Sequence, residues 1–226
     1  MMKKLILLCL AAFLLPLSAH ATLISWDSTA PGYLGFSDSA TGVAVCSPGD
    51  KCATTQTWDL GSGLSVTAES YDAGLGSGFV SDANRLVLWH DVNPGGGGLG
   101  SGKTSDLGNS SADNNTGKES IHLMFSSAVT IDSLLFNGDH VPFSGYIWVG
   151  DSSGTTLIDD VFNTGTLAVG ALLTQVYIEP DFSFLPIPSE PWYLAGLNYR
   201  SVPEPAGLAL LGLGLLGISL SRRRRQ

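Results

Sequence analysis

Apolar and polar positions alternate in short runs through the whole middle of the chain. Residues 56–60, 64–71, 85–90, 120–125, 129–137, 145–149, 155–161, 172–179 and 192–199 each read as a strand, by period-two alternation or by β-rich composition. Clusters of Gly, Asn, Asp, Ser and Pro separate them. Over residues 22–200 no capped stretch with a 3.6-residue period is long enough for a helix. Ile121, Leu123 and Phe125 share one face of their strand while Ser120, His122 and Met124 share the other, so one side of it lies against a core. Eight or more such strands joined by turns predict an all-β domain. An antiparallel two-sheet sandwich of jelly-roll type is expected, because a single open sheet leaves its apolar face in water. A flattened barrel is the alternative.

The two ends depart from this pattern. Lys3 and Lys4 precede an apolar stretch over 5–17, and Ala19-His20-Ala21 supplies a small-x-small cleavage site. That is a secretory signal peptide over 1–21, a helical segment cut after Ala21. Cys9 follows Ile6-Leu7-Leu8, without the small residue a lipobox needs, and is expected to leave with the signal peptide. At the other end, Val202-Pro203-Glu204-Pro205 leads into an uncharged run over 206–221 and then Arg222, Arg223, Arg224 and Arg225. Two prolines around a glutamate cannot continue a strand or a helix, so they form an extended tether. As a helix the run covers roughly 24 Å, a little less than a bilayer core, and snorkelling arginines can make up the difference. The arginines form a membrane stop on the cytoplasmic side. Three regions result: the signal peptide, an extracytoplasmic β-domain over 22–200, and a C-terminal signal over 201–226.

The proline-glutamate-proline signature, the short apolar helix and the final basic cluster together resemble the PEP-CTERM sorting signal of bacterial exported proteins. The resemblance covers residues 202–225 and implies handling by an exosortase, a transpeptidase-like membrane enzyme. It implies an inner-membrane anchor with a periplasmic body, then removal of the tail and delivery to the cell surface or an extracellular matrix. It does not say what the body does. The plainer alternative is an ordinary single-pass anchor.

Charge narrows the partners. Outside the two ends only Lys51, Arg85, Lys103, Lys118 and Arg200 are basic, against the chain's 20 acids, a net charge of about −15 for the exported body before tail removal, with Glu204 of the C-terminal signal counted among the acids. Such a surface repels phosphate polymers and excludes nucleic acid, leaving cations and neutral polysaccharide. Cys46 and Cys52 flank Ser47-Pro48-Gly49-Asp50, and in an oxidising compartment they are expected to close a small disulfide loop.

Candidate chemistry is thin. Residues 93–117 read as one long Gly/Ser/Asn/Asp loop. Inside it Gly97-Gly98-Leu99-Gly100-Ser101-Gly102-Lys103-Thr104 matches the phosphate-cradling pattern Gly-x-x-x-x-Gly-Lys-Ser/Thr. The following Ser105-Asp106-Leu107-Gly108-Asn109 is turn-forming and supplies no helix N-terminus, so the match is read as chance. Asp106, Asp113, Asn115 and Glu119 alternate as oxygen donors around Gly117, a pattern suited to a hard cation such as calcium; the alternative is a solvated acidic hairpin. No nucleophile–histidine pair can be assembled from spacing, and Asp159 and Asp160, as neighbours on a strand, point apart. The five tryptophans suit sugar stacking only where they are exposed. These observations favour a non-enzymatic structural or adhesive protein with no catalytic residues and no cofactor apart from calcium. A calcium-ordered carbohydrate-binding module and an exported polysaccharide or ester hydrolase are the alternatives.

Overall fold

The computed structural model describes residues 21–42, 44–45, 51–72, 86–91, 97–102, 119–138, 145–151, 156–162, 165–180, 192–202 and 214. Ala21–Arg200 forms one compact unit, and the β-structure belongs to it.

The described residues form twelve strands: β1 (Thr22–Ser25), β2 (Ala44–Val45), β3 (Lys51–Ala53), β4 (Thr55–Gly61), β5 (Leu64–Asp72), β6 (Val87–Asp91), β7 (Gly98–Gly102), β8 (Glu119–Gly138), β9 (Gly145–Asp151), β10 (Thr156–Phe162), β11 (Thr166–Pro180) and β12 (Trp192–Ser201). Hydrogen bonding joins them in one large antiparallel sheet. Its main path runs β10-β9-β11-β8-β12-β7-β6-β3-β2; β1 pairs with β12, and the β4–β5 hairpin attaches to β8 through β5. The all-β, antiparallel reading of the sequence is met. Among the described residues no helix is long and apolar enough to cross a membrane. The expected helices over 1–21 and 206–221 lie outside the described residues, apart from Ala21 and Gly214.

Period-two alternation decides what each central strand buries. On β5, β8 and β11 the register places Val66 opposite Phe125, Ala68 opposite Leu123 and Val176 opposite Leu123 from the other side, with Ile178 opposite Ile121. All of these are buried and belong to one apolar cluster. At about 25 cal/mol per Å², each buried Val, Leu, Ile or Phe side chain among them contributes roughly 1.5–3 kcal/mol. The residues between them, Thr67, Glu69 and Tyr71 on β5, Ser120, His122 and Met124 on β8, and Gln175, Tyr177 and Glu179 on β11, fall on the opposite face.

Two expectations are corrected. Residues 120–125 and 129–137 read as separate strands, whereas β8 runs through both. Its pairing with β11 jumps between Leu173–Val129 and Gln175–Met124, so Phe125 to Ala128 form an irregularity at which the strand changes register without ending. There the Ser126 hydroxyl accepts the Ser65 N–H at 2.9 Å, giving that donor a partner. The long loop over 93–117 is not all loop. Its glycine-rich start is β7, paired with β6 along its whole length and with β12 at Leu194–Leu99. Gly98 has no room for a side chain, since a Cβ there would lie 2.7 Å from the Leu194 carbonyl oxygen. The phosphate-loop match is therefore a buried strand as far as Gly102, and Lys103 and Thr104 lie outside the described residues.

Candidate functional site

The face of β5, β8 and β11 that points away from the apolar cluster is polar, yet much of it is buried. Register builds a row across five strands: Thr55 on β4, Glu69 on β5, His122 on β8, Tyr177 on β11 and Gly150 on β9. Glu69 is 8 % exposed, His122 5 %, Tyr177 9 %, and Glu179, two residues along β11, 7 %. Adjacent strands lie about 4.8 Å apart, so Glu69 and Glu179 sit roughly 12 Å from each other at Cα, on either side of His122.

Contacts within the row are specific. The imidazole of His122 stacks on the Tyr177 ring, with centroids 4.0 Å apart and planes 8° from parallel. Tyr71 donates its hydroxyl to the Glu69 carboxylate, and its ring lies 6.3 Å from His122. On β9, the ring of Trp148 occupies the space above Gly150, where a Cβ would lie 1.9 Å from Cη2. Glycine at 150 thus gives the indole its place beside Tyr177, which is the Cα partner of Gly150. Thr67, Met124, Gln175 and Trp148 are only half-buried and open the row toward solvent.

Electrostatics follow from burial. Desolvation pulls the His122 imidazole down to about 4, against a smaller opposing influence of the Gln175 side chain. By strict geometry neither ring nitrogen completes a hydrogen bond, although the Gln175 side chain is near enough to act on the imidazole as a weak hydrogen-bond partner. Burial pushes the Glu179 carboxyl up to about 7, so near neutral pH it is a donor as well as an acceptor. Tyr177 is raised by burial first and by the charge of Glu69 second. The arrangement gathers a neutral imidazole, carboxyls, phenols and an indole on one largely covered face.

The second buried histidine is placed differently. His90 points Nε2 at the Trp26 carbonyl oxygen, 3.1 Å away, and is surrounded by Tyr33, Phe36 and Trp58 at ring separations of 5.9–6.5 Å. Burial lowers it to about 4, with the Trp26 hydrogen bond and Asp91 acting the other way. It belongs to the packing of β6. A cleft of about 280 Å³ is walled largely by Ala30, Leu135, Phe136 and Ala195, and the polar groups at its edge are already engaged. Asp27 accepts Thr29 at one oxygen and Asn137 at the other.

The residues singled out from sequence are scattered. Glu119 begins β8, half-buried and opposite Asp72, while Asp106, Asp113 and Asn115 lie outside the described residues. Among the described residues no three His, Cys, Asp or Glu side chains converge as a metal site. Cys52 is disulfide-bonded and fully buried against Val87 and Trp89; Cys46 lies outside the described residues. Val202 is exposed, and Pro203, Glu204, Pro205 and Arg222 to Arg225 lie outside the described residues. Of the tryptophans, Trp26, Trp58, Trp89 and Trp192 are core residues, and only Trp148 reaches the polar face. Sequence reasoning placed His122 opposite the core side of its strand but missed Glu69, Tyr71, Tyr177 and Glu179. The signal available was their alternation with buried apolar residues.

No curated protein and no solved structure matches this chain. Residues 201–225, immediately after the compact unit, match the family model of the PEP-CTERM protein-sorting motif. The chain therefore carries the sorting signal of an exported protein that is membrane-anchored until an exosortase, a membrane sorting enzyme, processes it.

Proposed function

We propose that this is an exported structural or adhesive protein without catalytic activity, whose β-domain works at the cell surface or in an extracellular polysaccharide matrix. The observation that carries the reading is the sorting motif at residues 201–225. In this reading residues 1–21 are a cleaved signal peptide. Residues 206–221 hold the chain in the inner membrane, and Arg222 to Arg225 stay on the cytoplasmic side. The body's charge of about −15 favours neutral polymers over nucleic acid. The sheet is read as closing into a sandwich at the irregularities of β8 and β11, a reading supported by the main apolar cluster of the described residues, which collects side chains from both halves of these strands.

The test is to replace Pro203, Glu204 and Pro205 together with alanine in cells that make the sorting enzyme, and to follow chain mass and location. Retention of the tail and of membrane attachment supports the reading. Unchanged processing and surface yield would sink it. A second reading, a carbohydrate-binding module, is favoured by the polar aromatic face around His122.

A further inference from the structure

The tail leaves the β-domain from a fixed root. On β12, Tyr199 lies opposite Thr22 of β1 and is 4 % exposed. The next residue, Arg200, donates its Nε and one terminal nitrogen to the Asp132 carboxylate of β8 at 2.7–3.0 Å. Such a solvent-facing ion pair adds little strength by itself, but together with the buried, paired tyrosine it sets the point at which free chain begins.

Chain length then limits how far the sorting signal can stand from the domain. Pro203 follows Arg200 by three residues, which span at most about 11 Å when fully extended. Even a domain of about 100 residues has a radius of gyration of about 13 Å, so an enzyme that encloses residues 203–205 cannot avoid the surface around Arg200.

That surface differs from the rest of the body. Thr130 and Asp132 share the outer face of β8, and Thr130 is the register partner of Leu172 on β11. Leu172 stands 60 % exposed. Adjacent strands lie about 4.8 Å apart, which puts Leu172 roughly 12 Å from Arg200. No charged residue occurs over 161–178, and Asp132, the one carboxylate on β8 after Glu119, is paired with Arg200. A body of about −15 thus presents a neutral, partly apolar end where its tail begins. Low charge around an exposed apolar side chain suits contact with another protein.

We propose that this end of the sheet, centred on Leu172, Thr130 and the Arg200–Asp132 pair, is the surface against which the sorting enzyme seats when it takes the motif. The proposal rests on the reading of residues 201–225 as a working sorting signal and adds to it a contact with the folded body.

In cells that make the sorting enzyme, newly made full-length chain is pulse-labelled and loss of the tail is followed by mass. Leu172→Glu and Leu172→Lys are each expected to slow tail removal by about fivefold or more, the effect of one well-placed interface residue, while the melting temperature of the purified full chain keeps its wild-type value. Inserting about twelve Gly and Ser residues between Ser201 and Val202 lengthens the reach by roughly 20 Å and relieves the enforced contact, so both variants should then match a wild type carrying the same insert. Three results would overturn the surface: wild-type rates in both Leu172 variants, slowing that persists with the insert, or slowing by one charge and not the other, which would assign the face to charged lipid headgroups. With processing unchanged, a wild-type dimer that Leu172→Glu dissociates would assign it to a second copy of the chain instead. The alanine replacement of Pro203, Glu204 and Pro205 separates the two readings. If that chain is still processed, the sorting reading falls and this surface with it. A block there beside wild-type rates in the Leu172 variants removes the surface alone.

Discussion

His122 and Tyr177 face each other across β8 and β11 as direct register partners, their rings 4.0 Å apart and nearly parallel. Packing of this kind fixes the imidazole in a dry setting, where its charged form is disfavoured. His90 on β6, though placed differently, is lowered by burial as well.

Acid should therefore unfold the domain through its histidines. Both have folded values of about 4 against an ordinary 6.5. The unfolded chain takes up these protons below pH 6.5, and the folded chain does so only near pH 4. The stabilisation is complete above pH 6.5 and is lost as pH falls to 4, by up to about 3 kcal/mol per histidine. Melting curves between pH 7.5 and 4 will show this decline, and His122→Phe should remove about half of the histidine contribution. An acid limb of equal depth in the variant would refute the assignment.

Glu179 acts in the opposite direction. Its folded value of about 7 lies above the ordinary 4.5, so it favours the fold below pH 4.5, and that contribution is lost as pH rises through 7. Replacing it with glutamine removes the titrating group without changing shape. Because the two histidines already weaken the fold at pH 5, losing the opposing contribution of Glu179 should lower the chemical-denaturation midpoint at pH 5 relative to that at pH 8. If the spacing between the two midpoints is unchanged, burial is not what governs this carboxyl.

Gly150 gives a steric prediction. Any side chain there collides with the Trp148 ring, which must leave its place beside Tyr177. Gly150→Val should cost about 1–3 kcal/mol, typical of an overpacked site, and shift the tryptophan fluorescence as the indole becomes wetter. A valine variant with the wild-type melting temperature and emission maximum would mean that the ring has another home.

Sequence and structure agree where the signal is local. The strands around Val66, Leu123 and Val176 were legible because apolar and polar residues alternate, and the C-terminal signal because Pro203-Glu204-Pro205, the apolar run and the arginines are contiguous. β7 was hidden because glycines have no side chains to display a period, leaving Leu99 as its one apolar marker. β1, β2 and β3 are too short for alternation to register. The polar face was illegible for a different reason. Glu69 meets His122 only through the pairing of β5 with β8, and His122 meets Tyr177 only through the pairing of β8 with β11. Single-chain patterns carry parity but not register, and parity alone cannot say that Glu69, His122 and Glu179 share a face and are covered.

Cys52 offers the most direct covalent check. It is disulfide-bonded, lies opposite Ala44 on β2 and Trp89 on β6, and is fully buried. The chain holds three cysteines, and Cys9 sits in the segment expected to be cleaved, so Cys46 is the expected partner. A loop this short constrains the unfolded chain only modestly, by about 2 kcal/mol. Non-reducing peptide mapping of the processed protein should recover residues 46 and 52 in one cross-linked fragment. Reductant should lower the unfolding midpoint of the wild type and leave a Cys46→Ala, Cys52→Ala double variant unmoved. A free thiol at Cys46 in the oxidised, folded protein would refute the pairing, and with it the inference that the β2–β3 hairpin is closed covalently beside Trp89.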